Sequence, residues 1–409
     1  MSVEPLNKAF IAEIAVIRIL TVIFQLIFLK AYTHYTTLYE LGIYYFLFTI
    51  SYALNAFLLV PLDYFQQSKL YKLKSENASL KSFYLINVWV LKFAFTLLTI
   101  SVIACYFVNP SICFLLVLLT CLSLSIYFVN LLRGFINNLE NRRYASYTLM
   151  IETICKILFY LIYNYLFNSS AIVILSAMLS ASLLSFLILF IFLVKLPEFK
   201  LSKIFYFAPL EIIGFSYPMS IGAVINWIQL QSYSLILVPL GFVEAVGIFG
   251  TMANVGSSGM NACSTIFAQL YIPNIYKSNG FYIKKYIQMA LLAICFVFVV
   301  SALLSKTIIT IVTKQQLVGY SSVLLYGILN EAGNFIIAGL AVYLTIHNLT
   351  KVTLKVSLMG LLVFFSGFIA LYIFKFISVY TLGIPMVATQ LVLCLGLYYL
   401  VHRSLNKII

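Results

Sequence analysis

The sequence predicts an all-α integral membrane fold of about twelve transmembrane helices in two pseudo-symmetric six-helix lobes. Three observations carry that prediction. Of the 409 residues, 63% are hydrophobic and only 9% charged, against roughly 25% charged residues in an ordinary soluble domain. The apolar residues fall in runs of about 20, enough for a helix rising about 1.5 Å per residue to cross roughly 30 Å of hydrocarbon. Such runs, Leu115 to Leu119 among them, do not alternate in polarity as the strands of a membrane barrel would.

The first span, 9–31, contains Glu13 and Arg18 and lacks a following small-residue cleavage site, so it is expected to remain as helix one rather than act as a cleaved signal. Arg18, Thr21 and Gln25 share one of its faces. The second, 41–65, ends near Pro61 and Asp63. In the third, 83–108, Lys92, Thr96 and Thr99 form a stripe. The tight polar connection Asn109-Pro110 leads to the fourth, 111–132. The fifth, 145–167, spaces Glu152, Lys156 and Tyr160 by four residues, and Asn168-Ser169-Ser170 turns the chain into the sixth, 171–194.

The second half carries amides where the first carries charges. Span seven, 212–239, has Asn226, Gln229 and Tyr233 on one face, with Trp227 and Gln231 nearby. Span eight, 246–270, aligns Asn254, Ser257, Asn261 and Ser264 with Ala268. After span nine, 286–305, span ten, 317–346, brings Asn330, Glu331 and Asn334 to mid-membrane. Spans 353–374 and 379–401 complete the set.

The formal charge of +14 does not by itself indicate an anionic ligand. On one side the loops carry Lys8; Lys69, Lys72, Lys74 and Lys81; Arg133, Arg142 and Arg143; Lys195, Lys200 and Lys203; Lys277, Lys284 and Lys285; Lys351 and Lys355; Arg403 and Lys407. The other side has Lys30, Lys306, Lys314 and Lys375. Basic loops face the cytoplasm, so both termini are expected there. No nucleic-acid partner is implied. The seven cysteines show no metal-ligand spacing, and His34, His347 and His402 are scattered near helix ends.

The halves echo each other. Glu40-Leu41-Gly42-Ile43-Tyr44 and Glu244-Ala245-Val246-Gly247-Ile248-Phe249 stand about half the chain apart, each followed by a Lys-bearing loop. Two lobes are expected, 1–200 with helices one to six and 201–409 with helices seven to twelve, related by an axis along the membrane normal.

Charged side chains are costly in hydrocarbon, so those retained normally face a protein interior or a watery cavity. The candidates for substrate binding are Arg18, Gln25, Lys92, Lys156, Asn226, Gln229, Asn254 and Asn261. The candidates for a coupling ion or proton are Glu331, Glu152 and Asp63. Each has a plainer reading. Arg18 and Lys92 could snorkel, Glu152 and Lys156 could neutralise each other, Asp63 could sit solvated at the interface, and small polar residues could glue helices together.

Spans two, seven and eight together resemble the polysaccharide flippase branch of the multidrug/oligosaccharidyl-lipid/polysaccharide exporter superfamily. Gly214-Phe215-Ser216-Tyr217-Pro218 followed by Val246-Gly247-Ile248-Phe249 looks like that family's opening of the second lobe. Leu41-Gly42-Ile43-Tyr44 looks like its first-lobe counterpart, and Ile17-Arg18-Ile19-Leu20 like its basic first helix. The chain departs from the pattern after Leu20, where Thr21-Val22-Ile23 replaces a glycine-rich continuation.

The resemblance implies a V-shaped pair of lobes that moves an undecaprenyl-pyrophosphate-linked O-antigen repeat unit from the cytoplasmic to the periplasmic leaflet of the bacterial inner membrane. Polysaccharide-assembly proteins are the implied partners. No cofactor is implied, although a proton or sodium gradient could drive the cycle. Two alternatives stand beside it: a cation-coupled drug antiporter of the same fold, and a membrane-embedded O-antigen polymerase or glycosyltransferase. The outer loops are short and hold no paired carboxylates, which disfavours the enzyme.

Overall fold

A computed structural model describes residues 8–106, 110–139, 141–278, 280–347 and 350–408. Asn109, and the side chains of Lys8, Lys72, Ala268, Lys277, Lys351 and Lys407, lie outside the described residues. Every described element is helical. In chain order they are α1 (Lys8–Tyr35), α2 (Leu38–Leu54), α3 (Val60–Ser75), α4 (Tyr84–Tyr106), α5 (Pro110–Asn138), α6 (Arg142–Phe167), α7 (Ala171–Lys195), the short α8 (Pro197–Lys200), α9 (Pro209–Leu237), α10 (Val243–Lys277), α11 (Ile283–Val312), α12 (Leu324–Ile346), α13 (Thr350–Ile373) and α14 (Gly383–Ile408). Because α2 and α3 run on through a π-helical turn, Asn55–Leu59, they form one span.

Among the described residues ten helical segments are long and apolar enough to cross a membrane. The helices α9 and α10, 29 and 35 residues long, supply the other two long segments. The chain is a multi-pass membrane protein of about twelve helices, as its hydropathy predicts.

Local chemistry sets the joints. Pro61 has no N–H for the helical ladder, and the π turn just before it widens the helix while Asn55 Nδ2 reaches the Ser123 carbonyl at 3.0 Å. Ser170 caps α7 by accepting from the Val173 N–H. At the end of α9, Gly241 adopts φ +87°. Its N–H reaches the Val238 carbonyl and that of Phe242 the Leu237 carbonyl, the paired bonds of a Schellman ending.

The chain divides into two compact units: residues up to Phe24 with Leu47–Val224, and Gln25–Phe46 with Ile225–Ile409. The divisions fall inside α1, near the middle of α2 and inside α9, not at residue 200. Lipid tails are as apolar as leucine, so hydrophobicity alone does not hold such helices together, and close packing and polar contacts must do so.

In the first unit, Phe83 stacks on Phe135 with ring centres 5.2 Å apart and on Phe207 at 5.6 Å. Gln66 Nε2 donates to Tyr127 Oη at 2.8 Å, Tyr127 Oη donates to Asn87 Oδ1 at 2.9 Å, and Asn87 Nδ2 returns to Gln66 Oε1 at 3.1 Å, closing a ring across α3, α4 and α5. The segment before α9 is strapped to the α3–α4 turn: the Ser79 N–H donates to the Lys203 carbonyl at 2.7 Å and the Phe205 N–H to Ser82 Oγ at 2.9 Å.

In the second unit the repeated glycines meet each other. A Cβ on Gly42 would lie 2.0 Å from the Val243 carbonyl oxygen, and one on Gly247 would lie 2.7 Å from the Gly42 nitrogen. The α2 and α10 backbones therefore touch where the two echoed motifs cross. Gly256 and Gly327 make a second such crossing, since a Cβ on either would come within 2.0 Å of a carbonyl oxygen, Leu324 and Ala253 respectively.

Candidate functional site

Three helices of the first unit, α1, α5 and α6, assemble a basic cluster. Glu152 is its centre: Oε2 accepts from Arg133 NH2 at 2.7 Å and Oε1 from Lys156 Nζ at 2.6 Å. The Glu152 and Arg133 side chains are only 9% and 14% exposed, so this is an interior ion cluster, not a solvated pair. Lys156 falls on the same α6 face because it follows Glu152 by four residues. Arg18 of α1 lies within electrostatic reach of Arg133.

Two cations share one carboxylate and a third, Arg18, lies near Arg133, so the four side chains sum to a formal charge of about +2. The Nε–H groups of Arg18 and Arg133 are buried with no hydrogen-bond partner. Planar guanidinium donors in that condition suit a bidentate anion, phosphate above all. A second pairing, of Arg143 with Glu13 at 2.9 Å and Tyr147 Oη with Glu13 at 3.3 Å, ties α6 to α1. It fixes the helix that carries Arg18.

The other sequence-derived candidates divide. Lys92 is exposed, its Nζ 5.7 Å from the centre of the Trp89 ring, and Thr96 and Thr99 bond back to the carbonyls of Lys92 and Phe95. Gln25 is exposed and belongs to the second unit, so Arg18 and Gln25 of the α1 stripe fall in different units. Asp63 is buried at 8% exposure and accepts from Gln67 Nε2 at 2.8 Å, which replaces the solvated interfacial position considered for it. Gln67 in turn accepts from Asn138.

In the second unit Gln229 is 1% exposed and donates to the Ser357 carbonyl at 2.9 Å, which makes it a bridge between α9 and α13. Asn254 hydrogen-bonds a buried tyrosine group in which Tyr32 and Tyr45 hydroxyls stand 3.1 Å apart. Asn226 is exposed, as is Asn261, whose Oδ1 accepts from Thr265. Glu331 is half-buried, with Oε2 accepting from Asn334 at 3.1 Å, while neighbouring Asn330 keeps a buried, unpartnered Oδ1.

Sequence reasoning missed Arg133. It falls at the end of an apolar run and reads as a loop cation, yet α5 continues to Asn138 and carries it inside. The signal that could have found it is Glu152, a mid-helix carboxylate needing more than one cation. Among the described residues no group of His, Cys, Asp and Glu could hold a metal ion.

No protein-family model matches the chain, and neither does any curated protein. Solved structures do. A multidrug resistance MATE family transporter of the MOP superfamily, in an outward-facing conformation, shares 14% identity over 97% of this chain and 95% of its own, with a TM-score of 0.68. The lipid II flippase MurJ, in an inward closed conformation, shares 16% over 97% and 88%, with a TM-score of 0.65. A MOP superfamily transporter from Pyrococcus furiosus, described as having a binding pocket of reverse polarity, shares 13% over 97% and 95%, with a TM-score of 0.57.

At such identities the likeness is one of fold. The chain is an all-α, multi-pass membrane protein that shares its fold with a MATE family transporter of the MOP superfamily and with the lipid II flippase MurJ over nearly its whole length. That fold is the expected one.

Proposed function

We propose that this protein is a flippase for a polyprenyl-pyrophosphate-linked oligosaccharide, an O-antigen repeat unit, which it carries from the cytoplasmic to the periplasmic leaflet of the bacterial inner membrane. The carrying observation is the Arg18, Arg133 and Lys156 cluster, in which Arg133 and Lys156 share the single carboxylate of Glu152, Arg18 lies within electrostatic reach of Arg133, and two guanidinium N–H groups have no partner. A pyrophosphate cannot enter hydrocarbon without compensation for its lost hydration, and this cluster supplies charge and donors inside the membrane-spanning helices. Exposed amides such as Asn226 and Asn261 are suited to sugar hydroxyls.

The cycle is alternating access and involves no covalent step. Support comes from proteins of this fold, which are known in outward-facing and inward-facing conformations. Both termini lie in the cytoplasm in this reading, and polysaccharide-assembly proteins receive the product. A proton or sodium gradient drives the cycle through Glu331. That carboxylate, held by Asn334 beside the unpartnered Asn330, also favours the second reading, a cation-coupled drug antiporter.

Complementation separates the two. A host lacking its native flippase and producing a defined O-antigen should regain surface polysaccharide when it expresses this chain, and Arg18→Ala should reduce that rescue at equal membrane abundance. Failure across several matched repeat units, together with drug resistance conferred by the chain, would establish the antiporter instead.

A further inference from the structure

The way Glu152 is held differs from that of a carboxylate whose task is to join helices. Arg133 approaches it through NH2 alone, at 2.7 Å, while the Arg133 Nε–H stays buried without a partner. A guanidinium that only clamps gains most from the two-point fork, with two parallel N–H groups on the two carboxylate oxygens. Here the second oxygen is turned to Lys156 Nζ at 2.6 Å, so one carboxylate divides itself between two cations and the fork of Arg133 is half used. The tie between α1 and α6 lies elsewhere, where Arg143 and Tyr147 both meet Glu13. Among the described residues Arg18 forms no ion pair, and its Nε–H is also buried and open.

Without an anion, three like charges would be stranded inside membrane-spanning helices, a cost that only pairing relieves. Glu152 supplies that pairing from the same helix as Lys156. It also places a negative charge where an anionic head has to arrive. Passage through a membrane requires a site that attracts its cargo and yet lets it leave. A carboxylate that can retake two of the donors meets both requirements.

We propose that Glu152 is a resident counter-ion, which the phosphate of the cargo displaces from Arg133 and Lys156 and which reclaims them as the cargo leaves, an inference that rests on the flippase reading above. On entry the Arg133 NH2 and Lys156 Nζ donors pass from carboxylate to phosphate oxygen, and the open Nε–H groups of Arg18 and Arg133 gain partners. On exit the carboxylate takes the first two donors back. The exchange conserves those two charge-assisted bonds, so the affinity rests on the Nε–H contacts that Glu152 does not make. No covalent bond changes. Glu152 is a positioning residue in this scheme, acting on the cargo through the cations it holds.

The test titrates the full chain, in phosphatidylcholine nanodiscs, with a polyprenyl pyrophosphate carrying one sugar, and follows lipid-linked transfer in proteoliposomes of the same preparation. Glu152→Gln keeps the shape of the side chain and removes its charge. It is expected to bind the lipid about tenfold more tightly, chiefly through slower dissociation. The maximal transfer rate and the half-saturating lipid concentration should then both fall, whereas a clamp role predicts weaker binding and a raised half-saturation. Glu152→Gln should also melt lower than wild type, and inorganic pyrophosphate should restore most of that loss, because it takes the place of the missing carboxylate.

Unchanged or weaker binding in Glu152→Gln overturns the counter-ion, as does a Glu152→Gln protein that fails to fold with pyrophosphate present. Transfer by wild type with unaltered binding in Glu152→Gln removes the counter-ion alone. Tighter binding and rescue by pyrophosphate, with no lipid-linked transfer by wild type, remove the flippase reading alone.

Discussion

The two compact units differ in where their interior charge sits. In the first, Arg18, Arg133, Glu152 and Lys156 concentrate charge where two guanidinium donors remain unpartnered. In the second, Gln229 bridges to α13, Asn254 joins the tyrosine group, and the Gly42–Gly247 and Gly256–Gly327 crossings bring backbones into contact, while the buried groups left without partners, on Asn330, His347 and Gln390, belong to side chains other than Arg and Lys. The difference between the units is one of charge: the first gathers cations around Glu152, and the second is joined by neutral polar and backbone contacts. The first unit therefore carries the anion-binding chemistry in our reading.

That contrast can be broken, and the largest effect is expected at its centre. Glu152→Leu strands Arg133 and Lys156 as uncompensated interior cations, a change worth about 3–5 kcal/mol. A large drop in thermal stability in nanodiscs is the expected outcome, and a near-native melting point would mean the cluster is solvated. Arg18→Ala should leave the melting point nearly unchanged while lowering lipid-linked transfer by about tenfold or more, the weight of one hydrogen bond to a charged group. Equal transfer in wild type and mutant would remove Arg18 from the site.

In the second unit Gly247→Val forces α2 away from α10, and overpacking of this kind costs about 1–3 kcal/mol. Reduced yield of folded protein in detergent is the readout, with Ala at Gly259, which has open space around it, as the tolerant control. Gln229→Leu removes one interhelical bond of about 0.6 kcal/mol in a bilayer setting, so stability should fall slightly and transfer not at all. The smallest effect is expected for Lys92→Gln: this exposed residue of α4 should tolerate replacement in both assays, and a loss of transfer would extend the anion site beyond the three-helix cluster.

Much of the architecture was legible in the residue order. Runs of about 20 apolar residues leave a helix no alternative in hydrocarbon, since each backbone N–H and carbonyl must be satisfied within its own segment. Arg18 and Lys156 stood out for a related reason, because a cation in such a run needs a partner or a cavity. Arg133 did not stand out, because its helix outlasts its apolar run by several residues and only the partner Glu152 shows that it faces inward. Gln229 read as ligand-facing by helical spacing and Asp63 as solvated by its place near a span end, yet neither signal specifies what covers a side chain; the Ser357 carbonyl and Gln67 cover them.

By itself, then, the sequence determined the membrane, the helices, their approximate ends and the echo between the halves, since each depends on interactions within a single segment. Tertiary structure alone decided that the echoed glycines Gly42 and Gly247 meet, that Gln25–Phe46 packs into the second unit, and that Arg133 completes the basic cluster. Those outcomes depend on which helix faces share an interface, and among surfaces of equal hydrophobicity that choice rests on backbone approach and on a few polar bonds between residues distant in the chain.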